Sequence, residues 1–320
     1  MRIDVHAHVW TDEYLDLLDG YGKTDTALQR GTGAGAGERE MEARFELMDS
    51  AGVTHQVLSA PPQSPHFADR AQAAHAARLV NDLYADVVAR WPDRFLAFAS
   101  LPFPHTGLVL QELARALDEL GMAGVCVTTS VLGRPLTDPE FTEVFAELDR
   151  REAVLFVHPA GCGAGSPLIT GHRMTWSVGA PVEDTVAVAQ LILAGIPSRF
   201  PYLRILAAHL GGALPMLLRR LDDQYGWESP DTPEMPSAAA RRLWYDSVGH
   251  GHTPALWAAV ESLGADRIVL GTDFPYQAGD LFRTAVSYIE NADLPPGQAA
   301  RILDVNAPLL LGLPAAGDEG

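Results

Sequence analysis

The 320-residue sequence predicts a single (β/α)8 barrel spanning residues 1–320, with long loops over the C-terminal face. Three observations carry this expectation. Eight short β-type runs recur along the chain, and amphipathic helical segments separate them. Side chains suited to metal binding stand at or near the ends of four of those runs, where reactive groups sit in parallel barrels.

The runs are expected at residues 2–9, 54–61, 95–101, 124–129, 154–159, 204–209, 243–248 and 268–272. After the third, Leu110, Leu113, Leu117 and Leu120 form an apolar stripe closed by Gly121. After the fourth, Asp138-Pro139 supplies a capping side chain and a proline at the first helical position. Phe141, Val144, Phe145 and Leu148 follow on one helical face, and Leu256, Trp257, Val260 and Leu263 repeat the pattern before the last run. Two connections are long: residues 10–40, rich in glycine around Gly31–Gly37, and residues 160–181. Both are expected to overhang the strand ends as lids or walls, the alternative being mobile surface loops.

A hydrophobic content of 47% can fill a core of this size, so the fold needs no disulfide framework from Cys126 and Cys162. The formal charge of -18 repels nucleic acid and anionic membranes, which leaves small molecules and copies of the chain itself, a homodimer, as expected partners. No apolar run is long enough to span a bilayer and no basic segment precedes a hydrophobic one, so a cytoplasmic, reduced setting is expected. Lys23 is the only lysine and lies in a polar, glycine-containing stretch. Neither a desolvated lysine for Schiff-base chemistry nor a lysine on a barrel strand to bridge two metals is therefore expected.

His6 and His8 lie two apart on the first strand and so share a face. Run ends at His158, His209 and Asp273 supply partners. Three imidazoles (His6, His8, His158) and the Asp273 carboxylate suit one divalent ion with open positions, zinc best, with manganese, iron or cobalt as alternatives. His209 has three readings: a fifth ligand, a satisfied core histidine, or the general base. The Leu210-Gly-Gly stretch behind it lets a substrate approach closely, which favours the acid/base role. One metal that lowers the pKa of its water, plus one base, suffices to make hydroxide. His250-Gly-His252 has the same spacing as the first pair but falls in a glycine-rich turn and is read as loop.

These residues sit in motifs that resemble the amidohydrolase superfamily, in its mononuclear branch similar to aminocarboxymuconate-semialdehyde decarboxylase. The resemblance runs from Asp4-Val-His6-Ala-His8 through Met48-Asp-Ser-Ala-Gly52-Val and Val157-His158-Pro159. It is most specific in Val178-Gly-Ala-Pro-Val-Glu183-Asp-Thr, Ala208-His209-Leu-Gly-Gly, Tyr245-Asp-Ser and Gly271-Thr-Asp273-Phe-Pro275. It implies His6, His8, His158 and Asp273 as ligands and His209 as the base. It also implies Arg44 as a substrate-binding arginine and Arg220 as one contributed by a neighbouring subunit, each with a solvated surface arginine as the alternative. Glu46 stands where the family often carries a second arginine, which argues against a diacid substrate, and His6 leans away from resorcylate-type enzymes, some of which have glutamate there. Trp176, Phe274 and Tyr276 offer flat walls for a conjugated substrate, or core packing beneath the loop.

The expected activity is a metal-dependent, non-oxidative decarboxylation of a small unsaturated or aromatic carboxylic acid. Hydrolysis of an amide, ester or lactone at the same site is the second reading, hydration of a carbon-carbon double bond the third, and a non-catalytic metal-binding scaffold the fourth.

Overall fold

The computed structural model describes residues 1–313. Its frame is one eight-stranded sheet in which every neighbouring pair runs parallel. In chain order the strands are β1 (Ile3–His8), β2 (His55–Ser59), β3 (Phe95–Ser100), β4 (Gly124–Thr128), β5 (Val154–His158), β6 (Arg204–Ala207), β7 (Trp244–Asp246) and β8 (Ile268–Val269). Backbone bonds from Val5 N to Leu270 O (2.9 Å), Asp273 N to His6 O (2.8 Å) and His8 N to Phe274 O (2.9 Å) join the last strand to the first. The predicted barrel is thus the observed one.

Two apolar layers hold it. Ile3, Val5, Val57, Phe98, Phe156 and Leu206 fill the barrel interior, and Ala307 and Leu310 of the last helix pack with them. A larger layer between strands and helices buries Phe141, Val144, Phe145 and Leu148 on the predicted helical face. The predicted leucine stripe lies on a helix over Thr106–Ala114 that widens into a π turn at Arg115–Glu119 and stops before Gly121.

Strand parity at β1 departs from a simple alternation. Asp4 pairs with Gln56 but Ala7 with Leu58, so β1 carries one residue more than its neighbour over this stretch. Such a bulge re-aims the side chains beyond it. Ile3 and Val5 pack inside the barrel, whereas Ala7 and Val9 pack outside it, leaving His6 and His8 on the inner side.

β7 and β8 are also shorter than expected. Past Val269 the amides leave the ladder for side-chain acceptors: Gly271 N donates to Ser247 Oγ (3.1 Å) and Thr272 N to Asp4 Oδ1 (2.9 Å). Neither long connection is structureless. Residues 10–40 contain the helix Asp12–Gly20 and a turn at Thr26–Leu28, and residues 160–181 fold into short helical turns.

Candidate metal centre

The four expected ligands meet at the C-terminal mouth. One ligand atom from each of His6, His8, His158 and Asp273 lies within 4.8 Å of the others, and all four residues are buried. Asp273 Oδ1 stands 3.3 Å from His6 Nε2 and 3.4 Å from His8 Nε2, yet none of these three atoms has a hydrogen-bond partner. Buried polar atoms are nearly always satisfied, so three orphans facing one point fit a cation.

The imidazoles are locked from behind. His6 Nδ1 donates to Asp246 Oδ2 (2.7 Å), His8 Nδ1 to Ser59 O (3.1 Å) and His158 Nδ1 to Pro159 O (2.9 Å). Each ring then turns Nε2 toward the centre in one tautomer. Asp246 Oδ1 also accepts from the amides of His209 and Val248, both at 2.9 Å, so one carboxylate positions two histidines. Asp4 ties β1 to the loop after β8 through Thr272 Oγ1 (2.6 Å) and to β2 through Gln56 Nε2 (2.7 Å). Gly271 makes room for this: a Cβ there would lie 2.8 Å from the Cβ of Asp246 and 3.1 Å from that of His6.

His209 follows β6 with a positive φ of 52°, and Asp273 has a φ of 61°. Non-glycine residues adopt this region only where surroundings over-determine it. His209 Nδ1 donates to Asp184 Oδ2 (2.8 Å), and its Nε2 lies 3.8 Å from Asp273 Oδ2. Burial opposes charge on His209, but the carboxylates of Asp184 and Asp273 outweigh it and raise its pKa well above the ordinary histidine value. His158 goes the other way: burial, with His6 and His8 adding to it, holds it neutral.

Sequence motifs contained Asp184 and Asp246 without a role for either. Their signal was a carboxylate next to a helix start and at a strand end, and only the fold shows which histidine each meets. Glu183 acts as a loop anchor, accepting from the amides of Ala160 (2.7 Å) and Gly163 (2.6 Å).

The expected substrate contacts fare differently. Arg44 is not the solvated surface arginine of the alternative reading: it is 2% exposed, lies between the rings of Phe274 (4.5 Å) and Phe95 (5.3 Å), and donates to Gln56 Oε1 (2.6 Å) and His8 O (3.0 Å). Its Nε and Nη1 hold the end of β1, its Nη2 is buried without a partner, and burial lowers its pKa to about 9. Phe274, 5% exposed, belongs to the same stack and is packing. Tyr276 remains near the centre, its ring 6.0 Å from that of His8. Trp176 is 39% exposed, and a Cβ on Gly161 would meet its ring at 2.7 Å, so it rests on the loop after β5. Arg220 is exposed on the helix Leu214–Glu228 and has no ion pair among the described residues. His250 and His252 lie in the turn between β7 and the helix Thr253–Leu263. Lys23 is a correction: it is partly buried and reaches Ser64 O (2.7 Å), so a desolvated lysine does exist, though on a loop and not on a barrel strand.

A parallel barrel with three histidines and a carboxylate gathered at its C-terminal mouth defines a class, the barrel proteins built around a metal ion. Within that class the chain belongs to the amidohydrolase family, whose model matches residues 3–313. It is 30% identical to 2-amino-3-carboxymuconate-6-semialdehyde decarboxylase of Dictyostelium discoideum over 302 residues, covering 88% of this chain and 83% of that one. It is also 30% identical to gamma-resorcylate decarboxylase of Rhizobium radiobacter, over 74% of this chain and 77% of the relative. Among solved structures it superposes on 2,6-dihydroxybenzoate decarboxylase in complex with 2,6-dihydroxybenzoate with a TM-score of 0.81, 25% identity and coverage of 98% and 99%. A dihydroxybenzoic acid decarboxylase of Polaromonas, bound to manganese and the inhibitor 2-nitroresorcinol, gives 0.83, again at 25% identity, with 98% of each chain covered.

Proposed function

We propose that this protein is a metal-dependent, non-oxidative decarboxylase of a small unsaturated or aromatic carboxylic acid. The carrying observation is the set of converging, unpaired buried atoms of His6, His8 and Asp273 beside a histidine paired with its own carboxylate. The decarboxylases among its relatives support the same reading. His6, His8, His158 and Asp273 would hold one divalent ion, which supplies a Lewis acid to an oxygen of the substrate. Zinc suits the mixed nitrogen and oxygen donors, and manganese, present in a structural neighbour, is the alternative.

His209 does the proton work. Held protonated by Asp184, it delivers a proton from Nε2 to the carbon that bears the carboxylate. The bond to the carboxylate then breaks, its electron pair returns to the unsaturated system, and carbon dioxide leaves. Net, hydrogen replaces the carboxylate, and His209 recovers its proton from solvent. The buried Asp184 keeps Nδ1 protonated through this cycle, so that Nε2 is the nitrogen that gives up and regains the proton.

A homodimer in a reducing compartment completes the proposal. The helix Leu214–Glu228 exposes Met216 (81%) and Trp227 (69%) beside Arg220, an apolar face of the kind subunits cover. The test is a panel of carboxyl-labelled aromatic and unsaturated acids given to manganese- or zinc-loaded protein. Labelled carbon dioxide from a member of the panel is expected; cleavage of amides, esters or lactones with no carbon dioxide from any acid would replace the lyase with a hydrolase.

A further inference from the structure

The three imidazoles of the centre are backed unequally. His6 Nδ1 meets the Asp246 carboxylate directly, whereas His8 Nδ1 and His158 Nδ1 donate to the carbonyls of Ser59 and Pro159. The carbonyl behind His158 has an acid of its own. Pro159 O and Ala160 N belong to one peptide group, and Ala160 N donates to Glu183 Oε2 at 2.7 Å. That planar group accepts from the imidazole at its oxygen, at 2.9 Å, while it donates to a carboxylate at its nitrogen.

Glu183 is held for this contact. It is 2% exposed, and it accepts from Thr129 Oγ1 (2.8 Å) at Oε2 and from Gly163 N (2.6 Å) at Oε1. Thr129 Oγ1 also lies 3.1 Å from Ala160 N, and Thr129 N donates to His158 O at 2.8 Å, so the backbone from His158 to Ala160 is gripped at both ends. Glu183 stands in the first turn of the helix Ala180–Leu193, beside Asp184, which meets His209 Nδ1 at 2.8 Å. Consecutive acids thus reach toward a candidate ligand and toward the acid/base histidine.

An anchor for the loop after β5 needs only the bond to Gly163. The bond to Ala160 has a further consequence. An amide that gives its N–H to a carboxylate becomes more negative at its carbonyl oxygen, because hydrogen bonds in a chain polarise one another. A stronger acceptor at Nδ1 makes Nε2 a better electron-pair donor, the effect that a carboxylate placed directly behind a ligating histidine has.

We infer that Glu183 is a positioning residue for the metal ligand His158, acting through the Pro159–Ala160 peptide to fix the ring and strengthen its hold on the ion. Asp246 does this for His6 at first hand, and Glu183 does it for His158 at one peptide's remove. The inference rests on the reading of His158 as a ligand and adds a carboxylate partner that His158 never touches.

The test reads metal affinity and magnetic resonance on the full-length protein. Zinc affinity is measured by competition with a chelator, and in cobalt(II)-loaded protein the Nδ1–H protons of the ligating imidazoles give separate, paramagnetically shifted signals. Glu183→Gln, which keeps the shape and removes the charge, is expected to weaken zinc binding about tenfold, the lower end of what loss of a partner behind a ligand costs. It should move one Nδ1–H signal, and Asp246→Asn a different one. The wild type supplies a reading that needs no variant to fold: zinc binding should shift the amide proton of Ala160 more than that of Gly163, which shares the carboxylate but lies outside the chain of bonds. A Glu183→Gln protein whose 160–181 loop exchanges amide hydrogens faster, while zinc affinity and every Nδ1–H signal stay unchanged, would leave Glu183 an anchor only and overturn the inference, as would equal shifts at Ala160 and Gly163. His158→Ala separates the inference from the ligand reading. If that variant holds zinc as tightly as wild type, the ligand reading fails and takes the inference with it; if it weakens zinc and Glu183→Gln does not, the inference alone fails.

Discussion

The two ends of the same eight strands are built on opposite terms. The interior below the mouth is apolar and close-packed, with Ile3, Val5, Phe98, Phe156 and Leu206 fully or almost fully buried. The mouth gathers four histidines and the carboxylates of Asp184, Asp246 and Asp273, with left-handed backbone at His209 and Asp273 and unpaired atoms at His6, His8 and Asp273. One residue's length of strand separates the two regimes: the Phe156 ring lies 5.0 Å from that of His6. The lower layer supplies the stability that lets the upper one keep strain and unsatisfied atoms, a division parallel barrels permit because their C-terminal loops carry little of the core.

Substitutions at the two ends should therefore separate function from folding. Asp273→Ala is the largest expected loss: metal and activity should vanish together while the thermal transition of the metal-free protein stays where it was. His209→Asn should retain the ion and lower turnover by about 10²–10⁴-fold, the range of a general acid. Loss of the ion in that variant would make His209 a ligand. Asp184→Asn should lower turnover by about 10–100-fold, as removal of a partner behind a working histidine does. It should also move the basic side of the pH-rate profile to lower pH, because His209 loses the carboxylate that raises its pKa and gives up its proton sooner as pH rises. Leu206→Ala, beneath the mouth, should cost about 2–5 kcal/mol of stability by urea unfolding. Metal content and turnover of its folded fraction should change least of all; a specific loss of turnover there would erase the division between the two ends.

The lower layer was the more legible in the sequence. Apolar runs and helical stripes report burial directly, so strand bounds fell within two residues except at the end of β8, which comes three residues early, and the candidate ligands came from their place at run ends. What stayed hidden depends on distant partners. The extra residue in β1 has no local signature, although it decides that His6 and His8 face inward. Arg44 reads as a substrate-binding or a surface arginine, and only the fold shows Phe95 of β3 and Phe274 of the loop after β8 closing over it. Lys23 reads as solvated until the loop after β2 covers it. Asp184 and Asp246 were visible as motif residues, but a carboxylate's role is set by the imidazole it meets, 25 and 240 positions away in sequence.

Metal content of protein purified without added metal and then equilibrated with one divalent ion tests the centre most directly. The three histidines and one carboxylate predict about one ion per chain in the wild type, none in Asp273→Ala, and about one in His209→Asn. Two ions per chain, or an undiminished ion in Asp273→Ala, would contradict a mononuclear centre at the mouth.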